Sequence, residues 1–166
     1  KIEAAIKDVE DVLRDIAGLQ HLGGLEELSL KGAADLVDLA PLAPLSKLRT
    51  LDLCGCAAIV DLTPLRGLTR LMDLRLADCV SAGSLAPLGA LDRLETLDLT
   101  NFGERRPLDV SDVARLPALR SLDLTRCLDV IGLDAAPSRS GDESRSAVLV
   151  RGARGVGPGR RPREDA

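Results

Sequence analysis

The sequence predicts a right-handed α/β repeat solenoid, with short parallel strands along a concave side and turns or 3₁₀ segments returning along a convex side. Three observations predict it. Leu25, Leu28 and Leu30 recur 23 residues later as Leu48, Leu51 and Leu53, then as Leu71, Leu74 and Leu76, then as Leu94, Leu97 and Leu99. A step of 25 gives Leu119, Leu122 and Leu124, so each unit solves the same packing problem as the one before. Within a unit the leucine spacing switches from three to two, a pattern that neither a helix nor a plain strand produces. Finally, 32 of the 33 leucines lie between residues 13 and 133 and only Leu149 lies beyond, which confines the core to that span.

The elements follow in order. Residues 1–18 have two readings. Ile2, Ala5, Ile6, Val9, Leu13 and Ile16 fit the stripe of a capping helix. A shift of 24 residues instead places Ala4, Ile6 and Val9 where Leu28, Leu30 and Ala33 stand, and "RDIAGLQHL" then aligns with "VDLAPLAPL" at a shift of 23, as a degenerate repeat would. In the second case the stack is expected to continue upstream of Lys1. Residues 19–134 form the solenoid. Each L-x-L pair is the middle of a strand, so Leu28 and Leu30 point inward while Glu27, Ser29 and Lys31 point out on the concave side. The segments "DLAPL" (38–42), "DLTPL" (61–65) and "SLAPL" (84–88) are the convex returns. There Asp38 or Asp61 can accept from exposed backbone N–H groups, and Pro41 and Pro64 sit in a first turn where a missing N–H costs little. The fourth unit carries two extra residues within "FGERRPLD", which should bulge at a rim and offer Arg105 and Arg106 as a contact. Residues 135–166 lose the leucine pattern and are rich in Ser, Gly, Arg and Pro. They are expected to be a disordered basic tail, in which "SAVLV" could at most add a strand to something.

The motif L-x-x-L-x-L-x-x-C, with Cys56, Cys79 and Cys127 in its ninth position, resembles the leucine-rich repeat over roughly residues 14–134. The "DLxPL" half is similar to the internalin type and the cysteine to the cysteine-containing type. Together they resemble leucine-rich repeat proteins of kinetoplastids such as trypanosomes and Leishmania. The resemblance implies a binding scaffold.

Composition limits the chemistry. The chain has a net charge of -4, divided into -7 before Ser138 and +3 after it. An acidic body disfavours nucleic-acid binding by the solenoid. No apolar run approaches the roughly 18 residues needed to span a membrane. The four cysteines form no C-x-x-C pair and there is one histidine, His21, so no metal site is expected. Cys56, Cys79 and Cys127 should stack in the core as small apolar residues, a simpler reading than a redox ladder. Cys54 points outward and is a candidate reactive thiol. No P-loop, G-x-S-x-G or G-x-G-x-x-G motif in a fitting context is present, and His21 has no placeable partner, so no catalysis, cofactor or small-molecule substrate is expected.

Strand alternation gives the concave face directly. The column between paired leucines reads Ser29, Asp52, Arg75, Asp98 and Asp123. The columns on either side include Asp73 and Thr100. Asp52, Asp73, Arg75, Asp98, Thr100 and Asp123 are therefore the candidate partner-binding residues, with Arg105 and Arg106 on the rim. The expected partner is another protein with a basic or mixed-charge surface. The expected role is a cytoplasmic interaction module, an adaptor or scaffold. A structural subunit of an axonemal or organellar assembly and the substrate receptor of a ubiquitin ligase stand as alternatives.

Overall fold

The computed structural model describes residues 16–103, 107–133 and 149–152. The alternatives for the first fifteen residues, the rim arginines and most of the C-terminal tail lie outside the described residues. Along the chain run η1 (Ala17–His21), β1 (Glu27–Ser29), η2 (Ala40–Leu42), β2 (Thr50–Asp52), η3 (Thr63–Gly67), β3 (Asp73–Arg75), η4 (Ala86–Ala90), β4 (Thr96–Asp98), β5 (Leu108–Asp109), α1 (Ser111–Ala114), β6 (Ser121–Asp123), β7 (Val130–Ile131) and β8 (Leu149–Arg151), where η denotes a 3₁₀ segment. Six strands form one sheet in the order β1-β2-β3-β4-β6-β8, and β5 and β7 form a second, two-stranded sheet. All the pairings are parallel. Leu28, Leu51, Leu74, Leu97 and Leu122 stand opposite one another on successive strands.

This register is the sequence period made physical. With a parallel rung spacing of about 4.8 Å, a 23-residue step returns each leucine to the same place one rung higher. Leu48, Leu51, Leu53, Leu71, Leu74 and Leu76 have 0% exposure, and no polar or charged residue is buried among the described residues. The convex leucines Leu42, Leu65 and Leu88, together with Val113, close the other side of the same core. The 23-residue offset between η1 and η2 matches the alignment of residues 16–22 with a convex return.

The turns repeat because the rungs repeat. Each convex return begins with a short side chain accepting from the backbone two residues on. Asp38 Oδ1 accepts from Ala40 N at 2.8 Å, Asp61 Oδ1 from Thr63 N at 2.8 Å, Ser84 Oγ from Ala86 N at 3.1 Å, and Asp109 Oδ1 from Ser111 N at 2.9 Å. These bonds satisfy N–H groups that a short 3₁₀ segment leaves open, and a proline follows at the first or second position of η2, η3 and η4. The bonds from Thr63 hold the Asp61 carboxyl below its ordinary value, and those from Ser111 do the same for Asp109. Their contribution is present above the unfolded carboxylate value and is lost as pH falls through the lower folded one.

At the strand exits the chain turns through the left-handed region at Gly32, Gly55, Asp78, Asn101 and Arg126. The first two are glycines, and the Asp and Asn that follow are the residues that tolerate this region best.

The ninth-position cysteines are buried thiols, and each has a bonding partner in the preceding rung. Cys56 Sγ donates to Leu30 O at 3.2 Å, Cys79 Sγ to Leu53 O at 3.2 Å and Cys127 Sγ to Leu99 O at 2.9 Å. A small side chain that is apolar yet carries a weak donor suits this slot. The fourth unit differs, with Phe102 filling the slot. Residues after Pro107 form β5 and α1 instead of a 3₁₀ return, and β5 pairs with β7 on the convex side. Within the tail expected to be disordered, Leu149–Arg151 departs from that expectation. It is the sixth strand, paired with β6 through Leu122 opposite Val150.

The register sets an expected outcome. Leu74→Ala removes a fully buried side chain and should cost about 2–5 kcal/mol in chemical denaturation. Arg75→Ala, next in sequence but outward, should change stability by about 0–1 kcal/mol. Equal losses would mean the strand faces are misassigned.

Candidate functional site

The concave face is built by the outward residues of β1–β4 and β6. Asp52, Asp73, Arg75, Asp98 and Asp123 stand on neighbouring rungs of one face, with Asp52 opposite Arg75, Arg75 opposite Asp98 and Asp98 opposite Asp123. Thr100 follows β4 at its exit. Arg105 and Arg106 lie outside the described residues.

The charges on this face are not equivalent. Arg75 Nη2 lies 3.2 Å from Asp73 Oδ2 and its Nη1 4.0 Å from Asp52 Oδ2. Its guanidinium is held even further toward the charged form, first by the hydrogen bond to Asp73 and then by that carboxylate's charge. One arginine therefore answers two carboxylates across β2 and β3. Asp98 and Asp123 face each other on β4 and β6, and among the described residues neither has an ion pair. Around them stand hydroxyls: Thr96 and Ser121 on one side, Thr100 and Thr125 on the other. One step outward, Glu26 and Arg49 pair at 3.4 Å and Glu95 and Arg120 at 3.6 Å. These exposed pairs each contribute only about 0–1 kcal/mol.

The concave aspartates also have a structural task that sequence reasoning missed. Asp52 Oδ1 accepts from Cys54 N at 3.0 Å, Asp98 Oδ1 from Thr100 N at 2.9 Å and Asp123 Oδ1 from Thr125 N at 2.9 Å. Each carboxylate thus closes the turn that leaves its own strand and has a second oxygen for other contacts. The signal was present in the sequence: "DLC", "DLT" and "DLT" place Asp two residues before the turn, as "DLA" and "DLT" do on the convex side. At Asp78 the exit turn is tied across rungs, with Asn101 Nδ2 donating to Asp78 Oδ1 at 2.8 Å.

No part of this surface assembles reactive chemistry among the described residues. His21 is exposed, and its ring neighbours the Gln20 amide at 3.4 Å. No group of three or more His, Cys, Asp and Glu residues is placed to hold a metal ion among the described residues. Cys54, a candidate reactive thiol by position, is half-buried. Burial first, then the hydrogen bond with Asp52, pushes its thiol up to about 11. The buried Cys56 and Cys79 are pushed up to about 11 and about 12, mainly by desolvation. A convex cleft of about 730 Å³ lies between residues 80–85 and 107–109, but the one titratable lining residue among the described residues, Asp109, is committed to Ser111 through both backbone N and Oγ.

The fold has counterparts among solved structures. An internalin C2 from Listeria monocytogenes is 27% identical, with a TM-score of 0.52 over 71% of this chain and 54% of that one. A second Listeria monocytogenes internalin, InlF, is 21% identical, with a TM-score of 0.44 over 68% of this chain and 47% of that one. The chain spans about half the length of these internalins. No protein-family model matches the sequence, and no curated protein does. The kinetoplastid resemblance has no counterpart in these comparisons. The in-register parallel strands, the short convex 3₁₀ segments and the internalin C2 likeness make this a leucine-rich repeat solenoid, similar in fold to that internalin.

Two outcomes test this description. Asp98→Ala should lower stability by about 0.5–2 kcal/mol, the cost of losing a side-chain cap. Asp98→Asn should be close to neutral, because its amide oxygen still accepts from Thr100 N. Equal losses in urea unfolding would remove the turn-closing role. For the thiols, the thiolate is the nucleophile, so a Cys54 value near 11 leaves about 0.1% thiolate at pH 8. Its labelling in the native protein should be slow and should rise about tenfold per pH unit from 7 to 10. A plateau near pH 8.5 would show that Asp52 and burial do not hold the proton on.

Proposed function

We propose that this chain is a non-catalytic protein–protein interaction module, an adaptor that binds through its concave face. The observation that carries the proposal is the adjacent pair Asp98 and Asp123, set side by side on β4 and β6 without an ion pair among the described residues. At a rung spacing of about 4.8 Å, like charges on facing positions cost stability. A basic group placed between them by a partner relieves that cost. The surrounding Thr96, Thr100, Ser121 and Thr125 supply hydroxyls that donate or accept without large ordering costs. The neighbouring rungs, where Arg75 already answers Asp52 and Asp73, offer a mixed-charge continuation. The preferred partner is thus a protein surface that presents Lys or Arg opposite β4 and β6.

The face is polar and half-exposed, unlike the apolar surface of an obligate subunit contact, which favours an adaptor over a permanent structural subunit. Without Trp or Tyr to act as anchors, affinity should come from charge and fit. The four cysteines are free thiols, the state a reducing compartment maintains, which supports a cytoplasmic setting.

The test places a photocrosslinking side chain at Thr96 on the concave side and, as a control, at Ala43 on the convex side of the full chain. Partner adducts should form from Thr96 and not from Ala43. Asp98→Asn with Asp123→Asn should weaken binding of that partner, and the loss should shrink at high salt, where exposed charges are screened over about 8 Å. Adducts from the convex position, or a double variant that binds normally at low salt, would place the interface elsewhere.

A further inference from the structure

The sixth strand is built differently from the five before it. Successive strands β1–β4 and β6 follow one another at steps of 23 or 25 residues, and each brings leucines into the core. The step from Ser121 to its partner Leu149 is 28, and the connecting residues 134–148 contain no leucine. The inward face of β8 is Val150 alone, packed against the core but only partly buried. Leu149 is 52% exposed and Arg151 is exposed. What holds β8 is the edge of β6. Leu149 N donates to Arg120 O at 2.7 Å, and Leu124 N donates to Arg151 O at 2.9 Å. Arg151 stands opposite Asp123. The chain then turns at Gly152, whose φ is +72° and where a Cβ would lie 2.7 Å from both the backbone N and Oγ1 of Thr125. Only glycine fits there.

These are the features of a docked peptide: main-chain bonds to a sheet edge, one inward side chain packed on the core, and a glycine that fixes the register. We propose that the free edge of β6 is a strand-addition site, and that Leu149–Gly152 is its tethered, displaceable occupant rather than an integral last repeat. The site selects a parallel strand with an apolar inward residue, then a basic residue opposite Asp123, then glycine in the left-handed region against Thr125. A partner strand of that form must displace the resident one, which competes for the edge from within the same chain. The proposal shares Asp123 with the concave-face reading but rests on backbone pairing at the sheet edge.

The experiment uses the full chain and its Gly152→Val variant, with a labelled peptide of residues 146–155, "SAVLVRGARG", as the probe. In the variant, β8 should leave the edge, so the Leu124 amide exchanges faster while the Leu97 and Leu99 amides stay protected. The peptide should then bind the variant at least tenfold more tightly than the wild type, the gap expected when its dissociation constant is about a tenth of the tethered strand's effective concentration. The same peptide carrying Gly152→Val should bind neither protein. A Val150→Ser chain, which weakens the inward contact without a clash, should also gain peptide binding over wild type. The proposal fails if either variant loses protection throughout the solenoid, since β8 would then be an integral rung. It also fails if the released edge takes the altered peptide as well as the natural one, or if both proteins bind the probe equally.

Discussion

Everything in this molecule depends on the parallel backbone ladder that stacks leucine on leucine. A strand of three residues has too few hydrogen bonds and too little apolar surface to stand alone. It persists because the identical strand on each side supplies both. The stack is tolerant of sequence at outward positions and intolerant of any change in path, since a rung that takes a different route leaves its leucines out of line with those above and below. Path therefore becomes the conserved quantity within the chain, and the turn chemistry follows from it. Asp or Ser opens each convex return, Asp closes three of the strand exits, and a left-handed residue follows every strand from β1 to β4 and β6. The buried thiols fit the same logic. Each adds a weak bond to the carbonyl of the rung before it, at the inward position that follows the strand-exit turn.

Turn closure and surface charge come from the same carboxylates. Asp52, Asp98 and Asp123 are on the concave face where three of the exit turns take an acceptor two residues back, a need that β3 escapes, since Arg75 cannot accept. Their negative charge is partly a by-product of that need, and one cation sets which of them stays uncompensated. Arg75 occupies the same column on β3, between Asp52 and Asp98, and its guanidinium goes to Asp73 and Asp52. That choice leaves the acidic surface concentrated on β4 and β6. The face thus has a graded character: Arg75 forms ion pairs on β2 and β3, whereas Asp98 and Asp123 form none among the described residues, although Arg151 stands opposite Asp123.

The strand register, the inward leucines, the convex returns and the cysteine stack were all legible in the sequence, because each repeats at a fixed period and repetition turns a weak local preference into a strong pattern. The features that repetition does not cover were harder to read. The task of Asp98 as a turn acceptor looks the same in one dimension as a solvated aspartate. The β5–β7 pair arises where the fourth unit gains two residues and breaks the period, so no earlier unit announces it. Leu149–Arg151 sits in a segment whose composition favours disorder, and its strand forms from edge hydrogen bonds, which composition does not report. Cys54 shows the converse: its outward position suggests reactivity, whereas the half-burial and the Asp52 contact that push its thiol up are three-dimensional features.

The two sides of the described stack show why so slight a strand as β8 matters. At β1, Leu25 and Leu28 keep 9% and 8% of their surface exposed, whereas Leu48 and Leu51 one rung on have none. At the other side, Leu122 and Leu124 are as buried as the middle of the stack, at 1% and 0%. β8 achieves this with a single partly buried valine, so its apolar contribution is small. Its larger effect is on the backbone. The Leu124 N–H and the Arg120 carbonyl both point along the sheet toward the next rung, and without one they must find water beside an otherwise apolar layer. An unmade backbone hydrogen bond in such a place costs about 1–3 kcal/mol, comparable to what one buried side chain contributes. The place of β8 beside β6 is thus governed by main-chain satisfaction more than by side-chain packing. That is why a sequence with no leucine pattern, but with an apolar residue, an arginine and a glycine in the right order, can serve there.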